Sequence, residues 1–129
     1  MTSQESQPHR RKVLVVDDEP DIRMLTRMML EGAGHEVIEA ESGERCLEIV
    51  QSDTPDLILL DIRLPGIDGW GVLEKITTRT VKKIPVVMMS AHSSEGTLAR
   101  AAKAGSVGYL IKPFKEAELL RYVDKSSSN

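Results

Sequence analysis

Short apolar runs alternate with amphipathic stretches along the chain, and this alternation limits the possible folds more than any other feature. The strongest runs are Val13-Leu14-Val15-Val16, Leu57-Ile58-Leu59-Leu60, and Ile84 to Met89 with Pro85 near its start. Weaker ones are Glu36-Val37-Ile38 and Val107 to Ile111. Runs of four to six residues rich in Val, Ile and Leu read as strands covered on both faces, as in a parallel sheet. Between them, Pro20 to Glu31 places Ile22, Leu25 and Met29 on one helical face and is stopped by Gly32 and Gly34. Ser42 to Gln51, Gly69 to Thr77, Ser94 to Ala104 and Lys115 to Val123 are the other helical stretches, with Ser42 and Asp68 as N-caps. The only Asp-Gly pair, Asp68-Gly69, precedes a helical pattern, so no tight hairpin joins two strands. Five strand–helix pairs predict an α/β fold: a doubly wound, five-stranded parallel sheet of flavodoxin-like order 2-1-3-4-5, with helices on both faces. A closed barrel would need eight units. Residues 11–125 form the expected domain, with polar tails at 1–10 and 126–129.

Composition narrows the function classes. Seventeen basic residues stand against 20 acidic, a net charge of -3, which argues against a generic nucleic-acid binder. A single cysteine, Cys46, excludes an internal disulfide and reads as a core residue, and no Cys/His cluster offers a zinc site. The chain opens Met-Thr-Ser-Gln-Glu-Ser-Gln, which is no secretory signal, and no apolar run approaches the ~20 residues of a membrane span. A cytoplasmic domain is expected. His9, His35 and His92 are scattered, and the methionines of the first helix and fourth strand read as packing.

The informative residues end the strands. The first run leads into Asp17-Asp18, the third into Asp61, the fourth into Ser90 and the fifth into Lys112. In an open parallel sheet these carboxyl ends share one edge, and ligands bind where the strand order reverses, here between the first and third strands. Asp17, Asp18 and Asp61 would share that crevice, flanked by Ser90 and Lys112. Taken singly, an Asp after a strand is a helix cap and Lys112 a loop lysine. Together they are a charge problem. Two carboxylates ~4 Å apart at an effective dielectric of about 20 repel by roughly 4 kcal/mol. One lysine does not neutralise three, so protons shift onto the acids or a cation joins them. Oxygen-only ligands suit Mg²⁺, and Mg²⁺ with a lysine and a hydroxyl is a set that neutralises phosphoryl oxygens. A carboxylate beside it is a candidate nucleophile forming an aspartyl phosphate.

The chain resembles the receiver domain of two-component response regulators over about residues 11–124. The resemblance rests on Val-Leu-Val-Val-Asp17-Asp18-Glu19-Pro20, on Pro55-Asp56-Leu-Ile-Leu-Leu-Asp61-Ile-Arg-Leu-Pro65-Gly66-Ile-Asp68-Gly69, on Pro85-Val-Val-Met-Met-Ser90-Ala91, and on Gly105-Ser-Val-Gly108-Tyr109-Leu-Ile-Lys112-Pro113-Phe114. It implies that Asp61 accepts a phosphoryl group from a phosphohistidine on a sensor kinase or phosphotransfer protein. It implies direct Mg²⁺ ligation by Asp18, Asp61 and the backbone carbonyl of Arg63, with Asp17 acting through water. Lys112 would contact a phosphoryl oxygen and pair with Asp61 beforehand. Ser90 and Tyr109 would be the switch pair, and the Lys112–Pro113 bond would be cis. The face made by the fourth helix, fifth strand and fifth helix would meet an unidentified downstream protein or output domain.

Arg63 and His92, two residues beyond Asp61 and Ser90, stand where the family tunes acyl-phosphate hydrolysis. Ser106 occupies a position where the family often has Ala, with little expected consequence. Trp70 lies near the site, and Arg100 and Lys103 read as a solvated helix face able to meet an acidic partner. The expectation is a regulatory domain that catalyses only its own phosphorylation and dephosphorylation. It would contact no nucleic acid or membrane and be a monomer or a weak, phosphorylation-dependent dimer. Whether it stands alone or is the front of a longer protein stays open. Two rivals are a Mg²⁺-dependent aspartate-nucleophile phosphatase and a receiver-fold binding module that uses no phosphorylation.

Overall fold

The structure, a computed structural model, describes residues 10–79, 83–92 and 94–126. Most of the two expected tails, including His9, lies outside the described residues. Five strands alternate with five helices: β1 Lys12–Val16, α1 Pro20–Gly32, β2 Glu36–Ala40, α2 Gly43–Ser52, β3 Leu57–Asp61, α3 Gly69–Arg79, β4 Val86–Ser90, α4 Glu95–Lys103, β5 Gly108–Ile111 and α5 Glu116–Lys125. All strand pairs are parallel, in the order β2-β1-β3-β4-β5. The α/β doubly wound architecture expected from the alternation is the one observed.

The period-2 geometry of the strands divides the core in two. Leu14, Val16, Ile58, Leu60, Val86 and Met88 point to one face, where Cys46, Ile49 and Val50 of α2, Val72, Leu73 and Ile76 of α3 and Ala101 of α4 cover them. Val13, Val15, Leu57, Leu59, Val87, Met89 and Leu110 point to the other, under Leu30 of α1 and Leu119 and Val123 of α5. Strands β3 and β4 are buried along their whole length, which explains their unbroken apolar sequence. Burial also pushes the Cys46 thiol up to about 12, so it is inert packing.

Three sequence expectations change. On α1 the inward residues are Thr26 and Leu30, with Ile22 and Met29 partly covered, while Leu25 is 51% exposed beside Met24 and Met28. The Thr26 hydroxyl donates to the Ile22 carbonyl at 2.7 Å, which lets this polar residue face the sheet where spacing had put Leu25. Val107 lies before β5 and is exposed, since the chain enters the sheet only at Gly108. Ser106 is engaged: its hydroxyl lies 3.2 Å from the Val86 carbonyl and 2.5 Å from the Gly108 carbonyl, pinning the start of β5 to β4.

Helix α3 starts tight against the end of β3. The Gly69 amide donates to the Ile62 carbonyl at 2.8 Å, and a Cβ at Gly69 would strike the Asp61 carbonyl oxygen and sit 2.7 Å from Ile62 Cα. Gly66, at φ +74, makes the turn that brings the chain back. The close approach of Gly69 leaves no room for a side chain against the Asp61 backbone. Gly69→Ala should therefore lower stability by about 2 kcal/mol in urea unfolding, through overpacking against backbone. Gly32→Ala, with nothing within 4 Å of its Cβ, should leave stability unchanged or raise it by a few tenths to about 1 kcal/mol.

Candidate phosphoacceptor site

The carboxyl ends of β1, β3, β4 and β5 bring Asp17, Asp61, Ser90 and Lys112 to one edge. Asp17 follows β1 and is held by its amide donating to Ala40 on β2 at 3.1 Å and by Arg23 donating to its carbonyl at 2.7 Å. Its side chain is fully buried. Oδ1 accepts the Glu19 amide at 2.9 Å. Asp61 ends β3, also buried; its Oδ1 accepts the Arg63 amide at 3.1 Å. Lys112 follows β5, and its amide donates to the Ser90 carbonyl at 2.8 Å. The Lys112–Pro113 bond is cis.

The Lys112 ammonium is the centre of the charge arrangement. It donates to Asp61 Oδ2 at 2.9 Å, lies 2.7 Å from Asp17 Oδ2 and reaches Glu19 Oε1 at 3.4 Å. The Asp17 contact is a short ion pair to a buried oxygen. Burial alone would lower the Lys112 pKa; Asp17 and Asp61 outweigh it and raise the value. Burial raises Asp61 to about 6, repulsion from Asp17 adds to the rise, and Lys112 and the Arg63 amide oppose it.

One cation thus faces three carboxylates. Asp17, Glu19 and Asp61 each offer an oxygen within 4.8 Å of the others. The hard oxygen donors and the excess of carboxylates over the one ammonium fit a divalent cation such as Mg²⁺. Asp18, expected as a direct ligand, is not in that group. It is exposed and lines a shallow depression with Arg63, Asp68 and Trp70. Chain direction explains the difference: after β1 the backbone turns, so Asp17 points into the sheet edge and Asp18 onto the rim.

Ser90 is buried, and its Oγ accepts the His92 amide at 3.1 Å. Tyr109 is half-buried against the α2–α4 side of the core, and its hydroxyl donates to the His92 carbonyl at 2.9 Å. His92 therefore joins Ser90 to Tyr109 through its backbone, a link no motif reading identified because it depends on chain path rather than side-chain type. Sequence reasoning also missed Glu19; its place directly after the Asp-Asp pair was the available signal. Trp70 and Arg100 were singled out separately, yet the Arg100 guanidinium stacks on the Trp70 ring, 4.2 Å from its centroid, tying α4 to α3.

With this geometry in view, the response regulator receiver domain family matches residues 13–124. The chain belongs to that family. It is 36% identical over 127 residues to the probable transcriptional regulator ycf27 of Porphyridium aerugineum, covering 93% of this chain and 52% of the relative. It is 39% identical over 117 residues to the DNA-binding transcriptional regulator NtrC of Escherichia coli, covering 91% of this chain and 25% of that protein. The chain thus spans about half or less of the curated relatives it matches. Among solved structures, the receiver domain of Francisella response regulator 1452 superposes with a TM-score of 0.86 at 30% identity, covering 91% of this chain and 96% of the other. No described helix of this receiver domain is long and apolar enough to cross a membrane.

The raised Asp61 pKa has a stability consequence. Its folded pKa lies above the ordinary carboxylate value of 3.8, so the folded state binds more protons than the unfolded chain between pH 4 and about 6. Stability therefore falls as pH rises through that window. Asp61→Asn should raise stability at pH 7.5 by about 1 kcal/mol, discounted for water reaching the carboxyl group, or about 3–5 °C in the thermal midpoint. The difference should close as the pH is lowered to 4; an equal midpoint at both pH values would contradict it.

Proposed function

We propose that this receiver domain is a phosphorylation switch in which Asp61 takes a phosphoryl group from a phosphohistidine on a sensor kinase or phosphotransfer protein. The observation that carries the reading is the buried Asp61 carboxylate under the Lys112 ammonium beside Asp17. Asp61 Oδ1 is bonded to the Arg63 amide and Oδ2 to Lys112, which aims the carboxylate and leaves lone pairs for attack on phosphorus. Lys112 would follow the transferred group, balancing oxygens that carry nearly two negative charges. Mg²⁺ would be held by Asp61 with Asp17, directly or through water, and by Asp18 and the Arg63 carbonyl from the rim. It would supply the remaining charge neutralisation.

Ser90 ends β4 at the same edge. A phosphoryl group on Asp61 would draw its Oγ from the His92 amide, and the loop carrying His92 also holds Tyr109. That connection is the proposed route from the phosphoryl group to the α4–β5–α5 face, where Leu98 and Ile111 are exposed. The domain would act on an output domain or separate protein through this face, as a regulator rather than an enzyme with its own substrate. The transcriptional regulators among its relatives favour an output in gene control.

Two measurements test the reading. Incubation with acetyl phosphate and Mg²⁺ should give one phosphoryl adduct by intact mass, absent without Mg²⁺ and absent in Asp61→Asn. No adduct in the wild type under conditions where Mg²⁺ binds would overturn acceptance from small donors. Arg63 is exposed at the mouth of the site and would screen the attacking water, so Arg63→Ala should change the adduct's half-life by several-fold; an unchanged half-life removes Arg63 from that role.

A further inference from the structure

Beside the phosphoacceptor, and distinct from the acidic cluster, lies an open cleft of about 430 Å³ between the end of β3, the start of α3, the loop after β4 and α4. Arg63, His92 and Arg100 line it with the hydroxyls of Ser90, Ser94 and Thr97, and the Trp70 ring forms one wall. None of its described lining residues is acidic. Neither guanidinium has a carboxylate partner among the described residues: Arg100 rests on the Trp70 ring, and Arg63 touches Asp61 only through its backbone amide. This contrasts with Arg23, Arg27 and Arg45, each paired with a glutamate. The stack on Trp70 sets the orientation of the Arg100 guanidinium without neutralising it. Two unpaired guanidiniums with hydroxyl and imidazole donors form a recognition set for a phosphate-sized oxyanion.

The cleft is contiguous with the acceptor. Ser90 belongs to both, and Arg63 bonds to Asp61. An anion held there would sit next to a phosphoryl group in transfer. We propose that the cleft is a second anion subsite, which selects small phosphodonors carrying a further phosphate in addition to the one transferred. The ligand class is an acyl phosphate with a second phosphate on its acyl part. In the step itself, an Asp61 oxygen forms the new bond to phosphorus, the bond from phosphorus to the acyl oxygen breaks, and the acyl part leaves as a carboxylate with the electron pair. Its second phosphate is held by Arg63 and Arg100 throughout. The inference rests on Asp61 being the phosphoacceptor, and the test separates the two.

Phosphorylation rates with Mg²⁺ are compared for acetyl phosphate, which has no second anionic group, and 3-phosphoglyceroyl phosphate, which has one. Both donors are used at equal, sub-saturating concentration, and the adduct is followed by intact mass. The wild type should react about tenfold faster with the doubly charged donor, the size expected for a charge-assisted contact. Arg100→Gln, an exposed position whose folding is checked by its thermal midpoint, should bring the ratio of the two rates near one. The wild-type ratio should also shrink in high salt, which screens a solvent-open site. A wild-type ratio near one, or a ratio unchanged in Arg100→Gln, overturns the subsite while leaving the acceptor reading intact. No adduct from either donor overturns both.

Discussion

The arrangement depends on one ammonium group placed among acids. Parallel strands deliver Asp17 and Asp61 to adjacent positions at the same sheet edge, because β1 and β3 pair directly. Two buried carboxylates there repel, and the fold holds them together through Lys112, which contacts both. Lys112 in turn is placed by β5 and tied to β4 through the Ser90 carbonyl. The compensation is incomplete, because Glu19 adds a third carboxylate to the one ammonium. Burial raises Asp61 to about 6, and repulsion from Asp17 adds to that rise. A domain that kept these groups only for stability would do better with apolar residues in their place. Under the proposed function, this excess of negative charge is what an added cation would relieve.

The surrounding parts serve that edge in different ways. Gly69 lets α3 start hard against the Asp61 backbone, where a Cβ would clash. On the other side the contacts are few and polar: one amide to Ser90 and one carbonyl to Tyr109, both from His92. Under the proposed function, the packed side would position the chemistry and the side held through His92 would be the one to change partners. The Arg100–Trp70 stack closes the outer side, linking α4 to α3 across the cleft. Movement of the loop after β4 would therefore be felt at α4 as well as at Tyr109.

Much of this was legible in the residues. Strands β3 and β4 are buried on both faces, so their sequences carry no polar interruption and identify themselves. Asp61, Ser90 and Lys112 were legible because a polar residue directly after such a run must lie at a strand end. Features depending on rotation or chain path were not. Leu25 looks like core by spacing, but Thr26 faces inward because its hydroxyl is satisfied within the helix, and spacing cannot report that. Asp17 and Asp18 are the same residue type in adjacent positions, and only the turn after β1 decides which enters the edge. Ser106 passed for a neutral substitution until its hydroxyl was found pinning β5.

The α/β class, the five-stranded parallel sheet and the polar residues that end its strands, Asp17, Asp61, Ser90 and Lys112, could be read from the residues alone. The class and the strand ends follow from periodicity and from which residue closes each run, both local properties of the chain; the order of the strands came from likeness to a known sheet type. The tertiary structure alone decided which aspartate is buried, that Glu19 joins the acidic group, that His92 links Ser90 to Tyr109, and that Arg63, His92 and Arg100 converge on one cleft. Each of these relations joins groups whose side-chain direction is set by turns and by packing between elements. Direction and proximity across elements are quantities that a one-dimensional pattern does not carry.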